Sequence, residues 1–171
     1  LLMANFQANL RALLNVTDSI EELIEKYNAK TIETAHYEKF ITLFVAIFDP
    51  KEKSLTYINA GHQPALLMQN NEVIHLDKGS TVLGMFEKLP NLQSETIKLQ
   101  KNSKFICFTD GLAELEYSKG RQLEVSGIER LIRNAVSLND VNSILEENIA
   151  SLGKKNGYFD DITFLSAEFL R

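Results

Sequence analysis

From residue 40 to residue 48 the chain reads FITLFVAIF, a near-continuous apolar run closed by Asp49-Pro50. Such a run, with no polar alternation, predicts a strand buried on both faces. The segments SLTYIN (54–59) and PALLMQ (64–69) flank Ala60-Gly61-His62-Gln63 and predict a hairpin-like pair. Asn70-Asn71 predicts a tight turn, and EVIHL (72–76) follows it as a strand. LQSETIKL (92–99) and KFICFT (104–109) predict two more strands, joined by Gln100-Lys101-Asn102-Ser103.

Helical spacing frames this strand-rich middle. In LLMANFQANLRALL (1–14), Leu2, Phe6, Leu10, Leu13 and Leu14 share one face. Thr17-Asp18-Ser19 offers a cap to a second helix, with Glu21 or Glu22 closing a capping box. Ile20, Leu23, Ile24 and Tyr27 form that helix's apolar face, and the polar residues 30–39 predict a loop or frayed end. After Gly111, SGIERLIRNAV and DVNSILEENIASL carry helical spacing, Asp140 being the expected N-cap of the second. DDITFLSAEFL (160–170) closes the chain as a strand. Helices cluster rather than alternate with strands, which predicts an α+β fold of antiparallel sheets with helical layers. The first helix has no capping residue before it, so the chain reads as the C-terminal part of something longer.

Composition narrows the function classes. The 171 residues fit one domain, and a net charge of -5 argues against nucleic acid or an anionic membrane surface as the main partner. A single cysteine permits no internal disulfide and fits a reducing, cytoplasmic setting. That cysteine, Cys107, sits within FICF and reads as a small buried hydrophobe, because apolar surroundings raise a thiol pKa. No apolar run approaches the ~20 residues of a membrane span, and no signal peptide opens the chain. Direct membrane contact by this segment is therefore not expected.

Candidate chemistry lies in carboxylates at strand ends. His36, His62 and His75 have no partners at metal-ligand spacing, and neither HExxH nor CxxC occurs, which disfavours zinc. GxSxG, Walker and GxGxxG motifs are also missing. Asp110 follows the apolar strand FICFT, and Asp160-Asp161 precedes ITFLSAEF. If these strands pair antiparallel, Asp110 and Asp160 converge at one edge, where a hard cation such as magnesium, manganese or calcium would relieve their repulsion. Gly111 would then let the backbone come close to the ion. The bland alternative is that Asp110 makes a turn and Asp160 caps a loop.

Taken together, LLMANFQANLRAL, LFVAIFD, YINAGHQPALL, Val82-Leu83-Gly84, FTDGLAE and FDDITFL resemble, in order and spacing, the SpoIIE/RsbU-type serine/threonine phosphatases of the metal-dependent PPM family. Asn28 matches the family's Asn near the end of a short helix. The resemblance covers essentially the whole chain. It implies an α-β-β-α sandwich of two antiparallel sheets flanked by helices, and two Mn²⁺ or Mg²⁺ ions bridged by a water. Asp110 and Asp160 match metal-ligand positions; Asp161 matches a neighbouring position less directly involved, and Gly111 belongs to the same Thr-Asp-Gly motif. The implied function is dephosphorylation of a phosphorylated regulatory protein, of anti-anti-sigma type, in a bacterial partner-switching pathway. One departure stands out. The family's upstream ligands, including an Asp-x-Ser-Gly motif, do not occur in these 171 residues. A phosphatase domain truncated at its N-terminus is therefore expected, inactive or nearly so alone, with a non-catalytic interaction module as the alternative. Unpaired strand edges would further favour self-association.

Overall fold

Ser19 starts the first well-anchored element of the structure, a computed structural model that describes residues 2–14, 16–118, 120–156 and 160–170. Its hydroxyl accepts the Glu22 N–H at 3.1 Å, while the Glu22 carboxylate takes the Asp18 N–H at 2.8 Å. The expected cap is thus present with Glu22 as its acid, although that carboxylate takes the N–H of Asp18, one residue before the N-cap, rather than that of Ser19 itself. Helix α1 spans Leu2–Leu13 and α2 spans Ile20–Ala35. Of residues 30–39, expected as a loop or frayed helix end, 30–35 are the last turns of an ordered helix and only 36–39 leave it. Helix α2 continues to Ala35 because Thr31 and Ala35 extend its buried face, and it ends where His36 adopts a left-handed conformation.

The strands are β1 (Leu43–Asp49), β2 (Ser54–Ala60), β3 (Ala65–Gln69), β4 (Glu72–Leu76), β5 (Gly79–Ser80), β6 (Glu95–Lys98), β7 (Ser103–Phe108), β8 (Glu116–Ser118), β9 (Arg121–Gln122) and β10 (Phe164–Phe169). Between them lie α3 (Asp110–Ala113), α4 (Glu124–Ile132) and α5 (Leu138–Asn156). The chain divides into two units, Leu1–His62 with Asp77–Lys98, and Gln63–Leu76 with Leu99–Arg171. The architecture is mixed α and β with largely antiparallel sheets, as the resemblance implies.

In the first unit, β2 pairs antiparallel with β1 and β6 and parallel with the two-residue β5. Phe6, Ile20, Ile24, Tyr27, Ile58, Ala60, Leu83 and Leu89 form its core. Tyr27 closes that core twice, packing edge-on against the Phe6 ring and donating its hydroxyl to the Phe6 carbonyl at 3.1 Å. The expected two-sided burial of FITLFVAIF is not found. Among the described residues β1 pairs only with β2, and Ile47 and Phe48 are 51% and 40% exposed. An apolar run does not encode whether a layer covers each face.

In the second unit the strand order is β10-β7-β3-β4, all antiparallel. Asn70 and Asn71 both take positive φ and make the expected tight β3–β4 turn. The predicted SLTYIN–PALLMQ hairpin does not form: β2 and β3 belong to different sheets. The segment between them is instead folded by Asn59, whose side chain accepts the His62 N–H at 2.8 Å and donates to the His62 carbonyl at 3.0 Å. Met68, Ile106, Phe108, Leu112, Ile128, Ile132, Val141 and Leu145 make up most of the core. Asp140 is not the N-cap of α5. Ser137 caps it, accepting the Asp140 N–H, and the Asp140 carboxylate reciprocates to the Ser137 N–H at 3.0 Å.

One ion pair of this unit sets an acid dependence. His75 Nε2 lies 2.9 Å from Glu129 Oε2, and Arg133 contacts the same carboxylate. The His75 hydrogen bond, helped by the Arg133 charge, holds the Glu129 carboxyl below its ordinary range. A carboxyl depressed on folding adds stability above its unfolded pKa and loses it as pH falls through the folded value. Glu129→Gln should therefore flatten the pH dependence of stability below about pH 5, by roughly 0.5–1 kcal/mol for so shallow a pair. Urea midpoints at neutral and acid pH measure this, and parallel pH profiles for the two proteins would contradict it.

Candidate metal centre

Strands β7 and β10 pair antiparallel with Phe108 opposite Phe164 and Ser103 opposite Phe169. In that register the residue leaving β7 lies beside the residues entering β10. This is the adjacency expected from the two acid-bearing strand ends. Thr109 fixes it. Its N–H donates to the Thr163 carbonyl at 2.9 Å, and its hydroxyl oxygen accepts the Thr163 N–H at 2.9 Å. The hydroxyl proton is in reach of the Asp161 carbonyl at 3.2 Å.

Asp110 opens α3, a single turn for which Thr109 holds the N-cap position in extended geometry. The Thr109 hydroxyl is committed to β10's lead-in and makes no helix cap. Asp110 instead accepts the Gly111 N–H on Oδ1 at 3.0 Å, and Asp160 likewise accepts the Asp161 N–H at 2.7 Å. Each carboxylate keeps further lone pairs for a cation, since a carboxylate offers about four acceptor sites. Asp110, Asp160 and Asp161 are all exposed.

Gly111 is buried between these segments. A Cβ there would stand 2.5 Å from the Asp161 carbonyl oxygen and 3.3 Å from that of Asp160. Its lack of a side chain was expected to make room for an ion; what fills that space is the backbone of Asp160-Asp161. All four residues singled out in the sequence thus meet at one end of the β7–β10 pair. Thr109 was missed, although it stands in the Thr-Asp-Gly motif and its partner Thr163 in the Asp-Asp-Ile-Thr motif.

The donor set is all oxygen, which suits a hard divalent cation. It is also small: among the described residues no group of three or more His, Cys, Asp or Glu could hold an ion by itself. Two carboxylates fit part of a six-coordinate shell, the remainder falling to water or other donors, as is usual for magnesium. Cys107 sits on β7 half-buried, and burial pushes its thiol pKa up, in keeping with a packing role.

Two further motif residues meet in the first unit. Asn28 donates to the Phe86 carbonyl at 2.8 Å and accepts the Gly84 N–H at 2.9 Å. Gly84 has φ +97, and a Cβ there would lie 2.9 Å from the Lys39 carbonyl oxygen. The Leu83-Gly84 turn is thereby held on α2.

Comparison with known proteins gives a consistent answer. The family model described as Stage II sporulation protein E (SpoIIE) matches residues 1–170. Protein IcfG of Synechocystis is 26% identical over 134 residues, covering 74% of this chain and 20% of IcfG. The phosphoserine phosphatase RsbU of Bacillus subtilis is 26% identical over 113 residues, covering 65% of this chain and 33% of RsbU. The chain therefore spans a fifth to a third of the length of these relatives. In fold it is similar to the SiaA PP2C domain of Pseudomonas aeruginosa, with a TM-score of 0.81 and 15% identity over 98% of this chain and 69% of that one.

Proposed function

This chain belongs to the SpoIIE family, and from that premise we propose that it forms part of a metal-dependent serine/threonine protein phosphatase acting on a phosphorylated regulatory protein. The observation that carries the reading is the convergence of Asp110 and Asp160 at one end of an antiparallel strand pair, stapled by Thr109 and closed by Gly111.

In this reading Asp110 and Asp160 hold Mn²⁺ or Mg²⁺, and Asp161 contributes through its backbone. Such an ion, when bound, lowers the pKa of its water and neutralises charge on phosphoryl oxygens. The chain's own residues supply position. Thr109 fixes the register of the two acids, Gly111 permits their segments to touch, and the hydrogen bonds from Gly111 and Asp161 orient the carboxylates. Carboxylates on rigid strand ends are preorganised and lose little freedom on binding a cation. That RsbU is named a phosphoserine phosphatase supports a phosphoserine or phosphothreonine substrate here. An anti-anti-sigma-type protein in a partner-switching pathway is the substrate class that follows.

The second reading, a non-catalytic interaction module on the same fold, is favoured by the small donor set among the described residues. Phosphate release from a phosphoserine peptide by the native protein containing this chain separates the two. The phosphatase reading predicts turnover with Mn²⁺ that falls at least about a hundredfold on chelation, a loss of about 3 kcal/mol of transition-state stabilisation. Undetectable turnover at every Mn²⁺ concentration would favour the interaction module.

A further inference from the structure

Strand β7 places a lysine where its alternation calls for a core residue. Lys104, Ile106 and Phe108 fall on one face of the strand, and the last two belong to the core beneath α4 and α5. Lys104 is itself only 8% exposed. Its ammonium group makes no hydrogen bond or ion pair with any described residue. Its stem is buried but its Nζ is not cut off from solvent, since among the described residues no side-chain nitrogen is both buried and unpartnered.

What Lys104 does line is a cavity of about 200 Å³, together with Gln69, Asn71, Glu72, Lys101 and Arg133. With Asn70 and Asn102 also in the lining, three cations and four side-chain amides surround it against one carboxylate. The other acids nearby are committed or displaced. Glu168 is the cross-strand neighbour of Lys104 but no ion pair joins them among the described residues. Asp140 feels the Lys104 charge only weakly, its carboxylate being held by the Ser137 and Val136 amides. Glu129 is shared between His75 and Arg133.

We propose that this cavity is a binding site for a small oxyanion of the phosphate or phosphomonoester class, with Lys104 as its inner charge and Arg133 and Lys101 as its rim. The arginine fork and the lysine point charge are the two side chains suited to tetrahedral oxyanions. The volume exceeds the ~30 Å³ of a water several-fold yet falls below the ~300 Å³ at which pockets for larger ligands begin. It suits a phosphate group. The site is distinct from the acidic centre: six residues of extended chain from Lys104 to Asp110 span about 20 Å.

The test is an amide chemical-shift titration of the 171-residue chain stripped of metal on a chelating resin, at ionic strength fixed with sodium chloride. The probes are inorganic phosphate and phosphoserine. Saturable shifts are expected at Asn71, Asn102 and Lys104, weakened at least tenfold by Lys104→Met and unchanged by Asp110→Asn. Saturation by inorganic phosphate alone identifies a free-phosphate site, and equal or tighter saturation by phosphoserine a phosphomonoester site. Should Lys104→Met not fold, Arg133→Gln decides, with an expected loss of at least threefold. Absence of saturable shifts, or unaltered affinity in the folded variants, overturns the proposal.

Discussion

Gly111→Ala should cost the second unit about 3 kcal/mol of stability and separate the two acids of the candidate metal centre. The substitution adds one methyl group where the Asp161 carbonyl oxygen would be 2.5 Å away and its carbon 3.1 Å away. Both are main-chain atoms, fixed in turn by the Thr109 hydroxyl and by the β7–β10 ladder. No side chain can swing aside, so the strand lead-in itself must shift. Gly111 does not have a left-handed φ, which makes the expected cost steric rather than conformational. Urea unfolding measures the stability loss, and loss of amide protection at Thr163 localises it. A variant as stable as the parent, with Thr163 still protected, would show that the two segments do not touch as described.

Asn28→Leu should destabilise the first unit by about 1–3 kcal/mol, since the buried Gly84 N–H would lose its acceptor, whereas the Phe86 carbonyl sits on an exposed residue that water can serve. Asn28 is 2% exposed and is the sole side chain seen to bond both the Gly84 N–H and the Phe86 carbonyl among the described residues. Leucine keeps the branched shape, at somewhat greater volume, but offers neither donor nor acceptor. Asn28→Asp should lie between the two, keeping the acceptor for Gly84 and losing the donor to Phe86. Urea midpoints for the three proteins give the ranking. Equal midpoints would mean that water serves the turn as well as Asn28 does.

The parts of this fold that were legible in the sequence are those encoded locally. Ser19 and Glu22 announce a helix start, Asn70-Asn71 a tight turn, and the apolar segments FICFT and ITFLSAEF two strands, each through rules that span a few residues. The acids were legible for the same reason, because Asp110 and Asp160 abut apolar strands. Long-range pairings were not. SLTYIN and PALLMQ are close in sequence, yet they enter different sheets, since a short connection is compatible with either outcome. The exposure of Ile47 and Phe48 depends on what lies beyond β1, which their own pattern does not state. Thr109 was passed over because a threonine ending a strand is ordinary until its hydroxyl is seen bridging to Thr163.

The central claim is that Asp110 and Asp160 bind one divalent ion together. Mn²⁺ titration of the 171-residue chain, followed by water-proton relaxation, tests it most directly when paired with Asp110→Asn and Asp160→Asn. The account predicts saturable binding in the parent chain and at least a tenfold loss in each single variant, with the double variant little worse than either. Binding that persists undiminished in both single variants, or losses that simply multiply in the double variant, would contradict a shared ion at the end of β7 and β10.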